Sequence, residues 1–424
     1  MKTLALVLLS GVASFAAEPV TYYHDVARIL QARCQSCHRA GEVAPMAFGS
    51  YDETRPWAKA IKQAVLAKKM PPWYAEGGQF QNDPTLSKEE VDKLVAWADT
   101  GAAAGDPHDA PPPRHFAQGW TIDTPDQVFQ IPQPYQVPAS GTIEYTYIIV
   151  PTGFQQDHWV TEAEVRPGNP AVVHHANVYI REPGSPWLRE YPAGQMFIPE
   201  ERKQRAATGG SSSAGASVRE QVIVGFVPGR PAKQVPKGYA MLIPAGSDLV
   251  FQLHYTTNGK AAADQTRVGF VYAKTPPSKR VIRIQASNAR FVIPAGADNY
   301  AVSGTARLEM PCELLDAYPH MHLRGKSMAL TAIYPTGEKE SLVRVPHYDF
   351  NWQLIYEMNK PKLLPKGTVL RADATFDNSP NNRFNPDPKA EVRWGDQSWE
   401  EMMVGFFDLA IPVKTDPGSI LAAQ

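Results

Sequence analysis

Two cysteines and a histidine stand together as Cys34-Gln35-Ser36-Cys37-His38, a C-x-x-C-H run. Thiols so spaced can bond the vinyl groups of a haem, and the adjacent imidazole can give its iron an axial nitrogen. A simple C-x-x-C redox pair would leave His38 without a role, and this stretch has no thioredoxin-like βαβ setting. The opposite axial position calls for a second ligand. Met70, in Lys69-Met70-Pro71-Pro72-Trp73, follows a helical stretch, and its thioether would raise the reduction potential. Met46 competes for the role but is read as packing under the haem. One covalently attached c-type haem on Cys34, Cys37, His38 and Met70 is therefore expected.

The other chemistry-bearing residues lie far downstream. His174 and His175 are adjacent in Val172-Val173-His174-His175-Ala176, and His254 closes Val250-Phe251-Gln252-Leu253-His254 on the polar face of that run. Neighbours on an ideal strand point to opposite faces, so shared coordination by His174 and His175 requires a twist or bulge. Tyr318-Pro319-His320-Met321-His322 places two imidazoles at i and i+2, on one face of a strand. Trp399-Glu400-Glu401-Met402-Met403 offers a thioether, from Met402 or Met403 on alternate faces. A single histidine is more often a hydrogen-bonded scaffold residue, and a strand methionine is usually core. Taken as a set, however, imidazoles that accept either copper oxidation state and a thioether that favours Cu(I) suit copper.

The order H-H, H, H-x-H and E-E-M resembles the catalytic core of the type II copper, ascorbate-dependent monooxygenases, the peptidylglycine α-hydroxylating and dopamine β-monooxygenase family, over most of residues 120–415. The resemblance implies two copper ions. His174, His175 and His254 would hold one, which stores and delivers an electron. Catalytic His320, His322 and Met402 would hold the other, which activates O2 to hydroxylate a substrate C–H bond. Gly325-Lys326 after the H-x-H also matches. The residues with which the peptide enzyme grips its substrate carboxylate are replaced here by Tyr318, Val404 and Phe406, so peptide amidation is not expected and the substrate stays open. The N-terminal stretch resembles small class I c-type cytochromes, which implies that haem relays electrons to copper.

Two rivals stand beside this reading. Cys312, His320 and Met328 superficially form a blue-copper C…H…M loop, as in a copper electron carrier or a nitrite-reductase-like protein. That choice leaves His174, His175, His254 and Met402 without roles. The other rival is a non-catalytic haem protein with metal-binding β domains.

These side chains need elements to position them. Helical spacing is present over Tyr22–Ala32, after Pro56 with Trp57, Ile61, Ala64 and Val65 on one stripe, and from Ser87 to Gly101, where Ser87 and Glu90 make a capping box. Residues 106–120 are Pro-rich and read as a stiff connection. Beyond them come short alternating runs: Thr142–Val150, Val172–Ile180, Leu249–Tyr255, Val281–Ala286, Ala301–Glu309 and Met328–Tyr334. The expected architecture is a small all-α class I cytochrome c domain (18–105), a linker, and two all-β antiparallel, jelly-roll-like sandwiches (121–275 and 276–424).

Composition narrows the remaining choices. Residues 1–17 carry one Lys, an apolar run and small residues, as in a secretory signal peptide, which implies a periplasmic or secreted protein. The 42 basic and 43 acidic residues are well mixed, which excludes the basic face of a nucleic-acid binder. Three cysteines exclude a disulfide scaffold and leave Cys312 as a small buried apolar residue. No stretch is long enough to span a membrane. Expected partners are O2, a small or peptide-like substrate and a periplasmic electron donor. His24, His108, His115, His158 and His347 show no pattern and are read as solvent-facing or locally bonded. The Gly/Ser/Ala-rich stretch 206–217 is read as a surface loop.

Overall fold

The structure is a computed structural model that describes residues 19–40, 42, 44–116, 119–199, 220–227 and 232–422. The expected leader and the 206–217 stretch lie outside the described residues. The chain falls into two compact units, one from Met1–Ala40, Met46–Pro71 and Thr85–Arg114, the other from Gly41–Pro45, Pro72–Pro84 and His115–Gln424. Among the described residues no helix is long and apolar enough to cross a membrane.

Helices build the first unit. The helix Lys88–Asp99 starts at the expected capping box: Ser87 Oγ accepts from the Glu90 amide at 3.1 Å, and the Glu90 carboxylate accepts from the Ser87 amide at 2.7 Å. Its inner face is Leu94, Trp97 and Ala98, packed with Val26, Leu30, Ile61 and Val65. The first helical stretch opens with a π-turn, Tyr22–Val26, before becoming regular over Ala27–Arg33. Residues 106–114 lie along that helix. Arg28 and Gln31 donate to the carbonyls of Asp109 and Pro112, and Arg114 donates to the carbonyl of Gln31. Proline lacks an N–H but keeps its carbonyl, so such a stretch can serve as a row of acceptors.

The second unit is β-rich, with several antiparallel sheets. A nine-stranded sheet runs Gln127–Gln130, Arg267–Tyr272, His158–Arg166, Tyr239–Ile243, Lys279–Ser287, Val404–Pro412, Cys312–His320, Tyr356–Leu364, with Lys233–Gln234 paired to His158–Arg166. A five-stranded sheet containing Thr146–Pro151, Asp248–Tyr255, Val173–Arg181 and Glu220–Phe226 covers its first half, around a core that includes Val160, Phe251 and Phe270. A four-stranded sheet, Tyr300–Arg307, Val369–Phe376, Gly325–Ile333 and Lys339–Val345, accompanies the second half, around Leu330, Phe376 and Phe407. The expected runs fall on strands with ends displaced by a few residues. The two halves are continuous because Lys279–Ser287 pairs in parallel with Tyr239–Ile243 and antiparallel with Val404–Pro412.

A buried charge cluster reinforces that join. Lys233 Nζ, from the first half, reaches Asp316 at 2.6 Å and Asp408 at 2.7 Å in the second, and Arg283 pairs with Asp408 at 2.6 Å. Burial alone would raise the Asp408 carboxyl, but Arg283 and Lys233 hold it below the ordinary carboxylate range. Removing one partner leaves an uncompensated buried charge. Lys233→Ala is therefore expected to destabilise the protein by about 3–5 kcal/mol, read from chemical denaturation. A change of less than about 1 kcal/mol would mean that the cluster contributes little to holding the halves together.

Candidate haem site and metal centres

In the first unit the C-x-x-C-H run folds as one turn. The amides of Cys37 and His38 both donate to the Cys34 carbonyl, at 3.1 and 2.9 Å. Cys34 and Cys37 form no disulfide with each other, and burial pushes the Cys34 thiol up to about 12. His38 lies flat against Phe48, with ring centres 4.4 Å apart, and its Nδ1 is 3.2 Å from the Met46 carbonyl. A carbonyl can only accept, so Nδ1 carries the proton and Nε2 keeps its lone pair. A ligating histidine is ordinarily oriented in this way, by a hydrogen bond from its other ring nitrogen, and these residues fit a c-type haem. Met46 enters through its carbonyl on the His38 side. Met70 is half-buried in the same unit.

The second unit brings His174, His175 and His254 together, with one ligand atom from each within 4.8 Å of the others. The bulge needed for adjacent histidines is present. Along the ladder between Asp248–Tyr255 and Val173–Arg181, His254 faces His175 but Tyr255 faces Val173, so His174 is the extra, unpaired residue. Its Nδ1 comes within 3.3 Å of His175 Nδ1, and the His254 ring stands 5.0 Å from His175 and 5.1 Å from His174. Tyr145 closes the set edge-on, 4.5 Å from His254 and 5.1 Å from His175. His254 Nδ1 is buried without a hydrogen-bond partner among the described residues.

Burial is the main influence on all three imidazoles. It lowers His174, and together with the charge of His174 it brings His254 down to about 3. His175 lies well below 6.5 through burial, then through His254, His174, His320 and His322, which are near enough for their charges to reach it. Three neutral imidazoles converging on one point, one of them holding an orphaned nitrogen, could hold a transition-metal ion of the kind imidazole suits, copper among them.

A stability consequence follows for metal-free protein. The unfolded chain protonates these histidines near 6.5, whereas the folded state resists until about 3 at His254. Their contribution is thus present above 6.5 and lost as pH falls from 6.5 towards 3, by about 1.4 kcal/mol per pH unit for each histidine held neutral. Acid denaturation should therefore begin near pH 6 in metal-free protein and at lower pH in His254→Phe, as followed by circular dichroism.

The second histidine pair is built differently from the same-face strand expected for H-x-H. The strand Cys312–His320 ends at its first histidine, and His322 lies beyond it. The strand stops because Tyr348 Oη engages both the amide and the carbonyl of Met321, at 3.1 and 2.7 Å, diverting them from the ladder. The rings still approach to 5.3 Å. His320 Nδ1 faces Gln353 Oε1 at 2.9 Å and His322 Nδ1 faces the Glu400 carbonyl at 3.2 Å, which leaves both Nε2 atoms as the lone-pair nitrogens.

Glu401 is fully buried and binds this turn to the E-E-M segment. Its two oxygens accept from the amides of His322 at 2.8 Å and Arg324 at 2.6 Å. Burial pushes its carboxyl up to about 8 against the pull of those amides and the Arg324 charge. The two methionines do not alternate on one strand as expected. Both precede the strand Val404–Pro412. Met403 is fully buried beside Gly304 in the second core, and Met402 is half-buried against the edge of that core, which makes Met402 the more accessible thioether.

Several contributors carry no sequence signal: Tyr145, Tyr348, Phe350 and Gln353 stand outside any motif and reach the histidines only through folding. Glu401 was legible as part of E-E-M, but its clamp on two amides was not. Cys312 is buried, with its thiol pushed up to about 11 by burial, and it starts the strand that His320 ends, about 26 Å away at strand rise. The two cannot share one copper ion.

The family described as cytochrome C oxidase, cbb3-type, subunit III matches residues 23–97. No curated protein matches the chain. Among solved structures, the chain is similar at 10% identity to infectious bursal disease virus Gt strain, over 72% of this chain and 75% of that one, with a TM-score of 0.19. It is similar at 9% identity to oxalate decarboxylase of Bacillus subtilis, over 72% and 83%, with a TM-score of 0.13. TM-scores of this size carry no argument about fold or function.

Proposed function

We propose that the c-type cytochrome domain at residues 23–97 supplies electrons to a two-copper module in the same chain, and that the chain is an exported, O2-dependent monooxygenase acting on a substrate C–H bond. The cytochrome domain by itself supports haem-based electron transfer. One observation carries the rest: three mutually close, neutral histidines with an orphaned buried nitrogen stand in the same unit as a second pair whose Nδ1 atoms are both satisfied.

Copper bound there would supply one-electron redox chemistry and O2 activation. The residues supply the rest. His174, His175 and His254 offer a purely imidazole set, while His320 and His322, with Met402 nearby in the chain, offer a softer one. Gln353 and the Glu400 carbonyl keep each Nε2 deprotonated, and Tyr348 and Glu401 hold the turn that carries them. The leader-like residues 1–17 support export, which suits the covalent attachment of haem outside the cytoplasm.

Metal analysis with electron paramagnetic resonance on the haem-loaded protein tests this reading. The expected result is two non-blue coppers per haem, O2 consumption when a donor is present, and haem reduction that precedes copper reduction. Haem without copper after reconstitution would leave a haem electron carrier with β domains of another purpose. Copper reduced by a donor while the haem stays oxidised would remove the relay.

A further inference from the structure

The two histidine sets are separated by one side chain. The Phe350 ring lies on His174, centres 5.4 Å apart and planes 27° from parallel, and meets His322 edge-on at 5.7 Å. Phe350 is 9% exposed, yet among the described residues it belongs to none of the hydrophobic clusters of its unit. A buried phenylalanine whose ring neighbours are imidazoles is filling a gap between polar groups.

Its backbone suits a movable plug. Residues 346–355 form no strand, and Phe350 sits in a turn opened by Asp349, whose carboxylate accepts from the Asn351 amide at 2.9 Å and whose carbonyl accepts from the Trp352 amide at 3.0 Å. Tyr348 and Gln353 on either side are held by Met321 and His320. The turn can therefore reorient Phe350 while its flanks stay fixed.

The rings that border the two sets are aromatic. Tyr145 borders the first set, and Tyr318 stacks on Phe406 beside His320. The Arg283 guanidinium, 5.9 Å from the Phe406 ring centre, is paired with Asp408 at 2.6 Å, and the Glu401 oxygens are taken up by the amides of His322 and Arg324. A charged substrate group entering here would lose its hydration and find these charged groups already taken up.

We propose that Phe350 occupies the place of the substrate, and that the substrate is an uncharged apolar molecule that displaces this ring and lies between His174 and His322. The proposal rests on the monooxygenase reading, and it assigns that reaction's substrate class. Phe350 is then a specificity-determining residue: a larger ring blocks the gap and a smaller side chain opens it.

The test uses full-length protein loaded with Cu(II) and measures paramagnetic relaxation of the protons of toluene, benzoate and benzylamine in wild type, Phe350→Ala and Phe350→Trp. Toluene should be relaxed in wild type and bind about ten-fold more weakly in Phe350→Trp and more tightly in Phe350→Ala, with both charged probes weaker than toluene throughout. Melting curves and copper content establish that each variant is folded and loaded, and Phe350→Leu replaces any variant that is not. Charged probes relaxed more than toluene, or toluene indifferent to Phe350→Trp, would overturn the proposal. Copper retained with no relaxation of toluene would overturn it and leave the two-copper reading standing. Failure to retain copper would remove both.

Discussion

Replacing His254 with alanine is expected to lower copper affinity at the first histidine set by more than about 100-fold, because changes to outer-shell partners alone cost 10–100-fold. The ring stands 5.0 Å from His175 and 5.1 Å from His174, so its loss leaves two imidazoles and an open side. Competition with a chelator of known affinity reads the change, and spectroscopy shows whether the second site keeps its copper. The metal-free protein supplies a control on the opposite sign. His254 Nδ1 is buried and unpartnered among the described residues, so His254→Phe removes an unsatisfied polar atom and should leave the melting temperature unchanged or raise it. If His254 were only a scaffold residue, both substitutions would destabilise the protein and copper binding would be unaffected.

Glu401→Ala should combine a large loss of stability with loss of copper at the second site. The carboxyl group is fully buried, and its two oxygens take up the amides of His322 and Arg324. Truncation leaves two buried N–H donors unsatisfied, at about 1–3 kcal/mol each. It also frees the turn that places His322 beside the Glu400 carbonyl. Denaturation curves give the first effect. Copper titration monitored by electron paramagnetic resonance gives the second, with the signal of the His174, His175 and His254 site retained. A variant that is destabilised but binds copper normally at both sites would show that Glu401 supports the fold without positioning the pair.

The helical unit was largely legible because its signals are local. The Ser87 and Glu90 capping box depends on residues three apart and is present, and Leu94 and Ala98, four apart on the following helix, are both buried. The C-x-x-C-H run is equally local. Strand positions were legible from alternation, but strand partners were not: the parallel pairing of Lys279–Ser287 with Tyr239–Ile243 depends on contacts between residues some forty apart in the chain.

The histidines show the same division. Sequence determined the types and order of these residues, and it required a bulge if His174 and His175 were to act together, since alternation along a strand is a property of the backbone itself. Tertiary structure decided which residues surround them. The ladder that makes His174 the extra residue is set by the strand bearing His254, and Gln353, Tyr348 and Phe350 arrive on a loop with no motif. It also separated Met402 from Met403, by burying Met403 against Gly304. Residue types and short-range periodicity are written in the chain, whereas hydrogen-bond partners and the filling of a gap depend on packing, which brings together residues that no spacing rule connects.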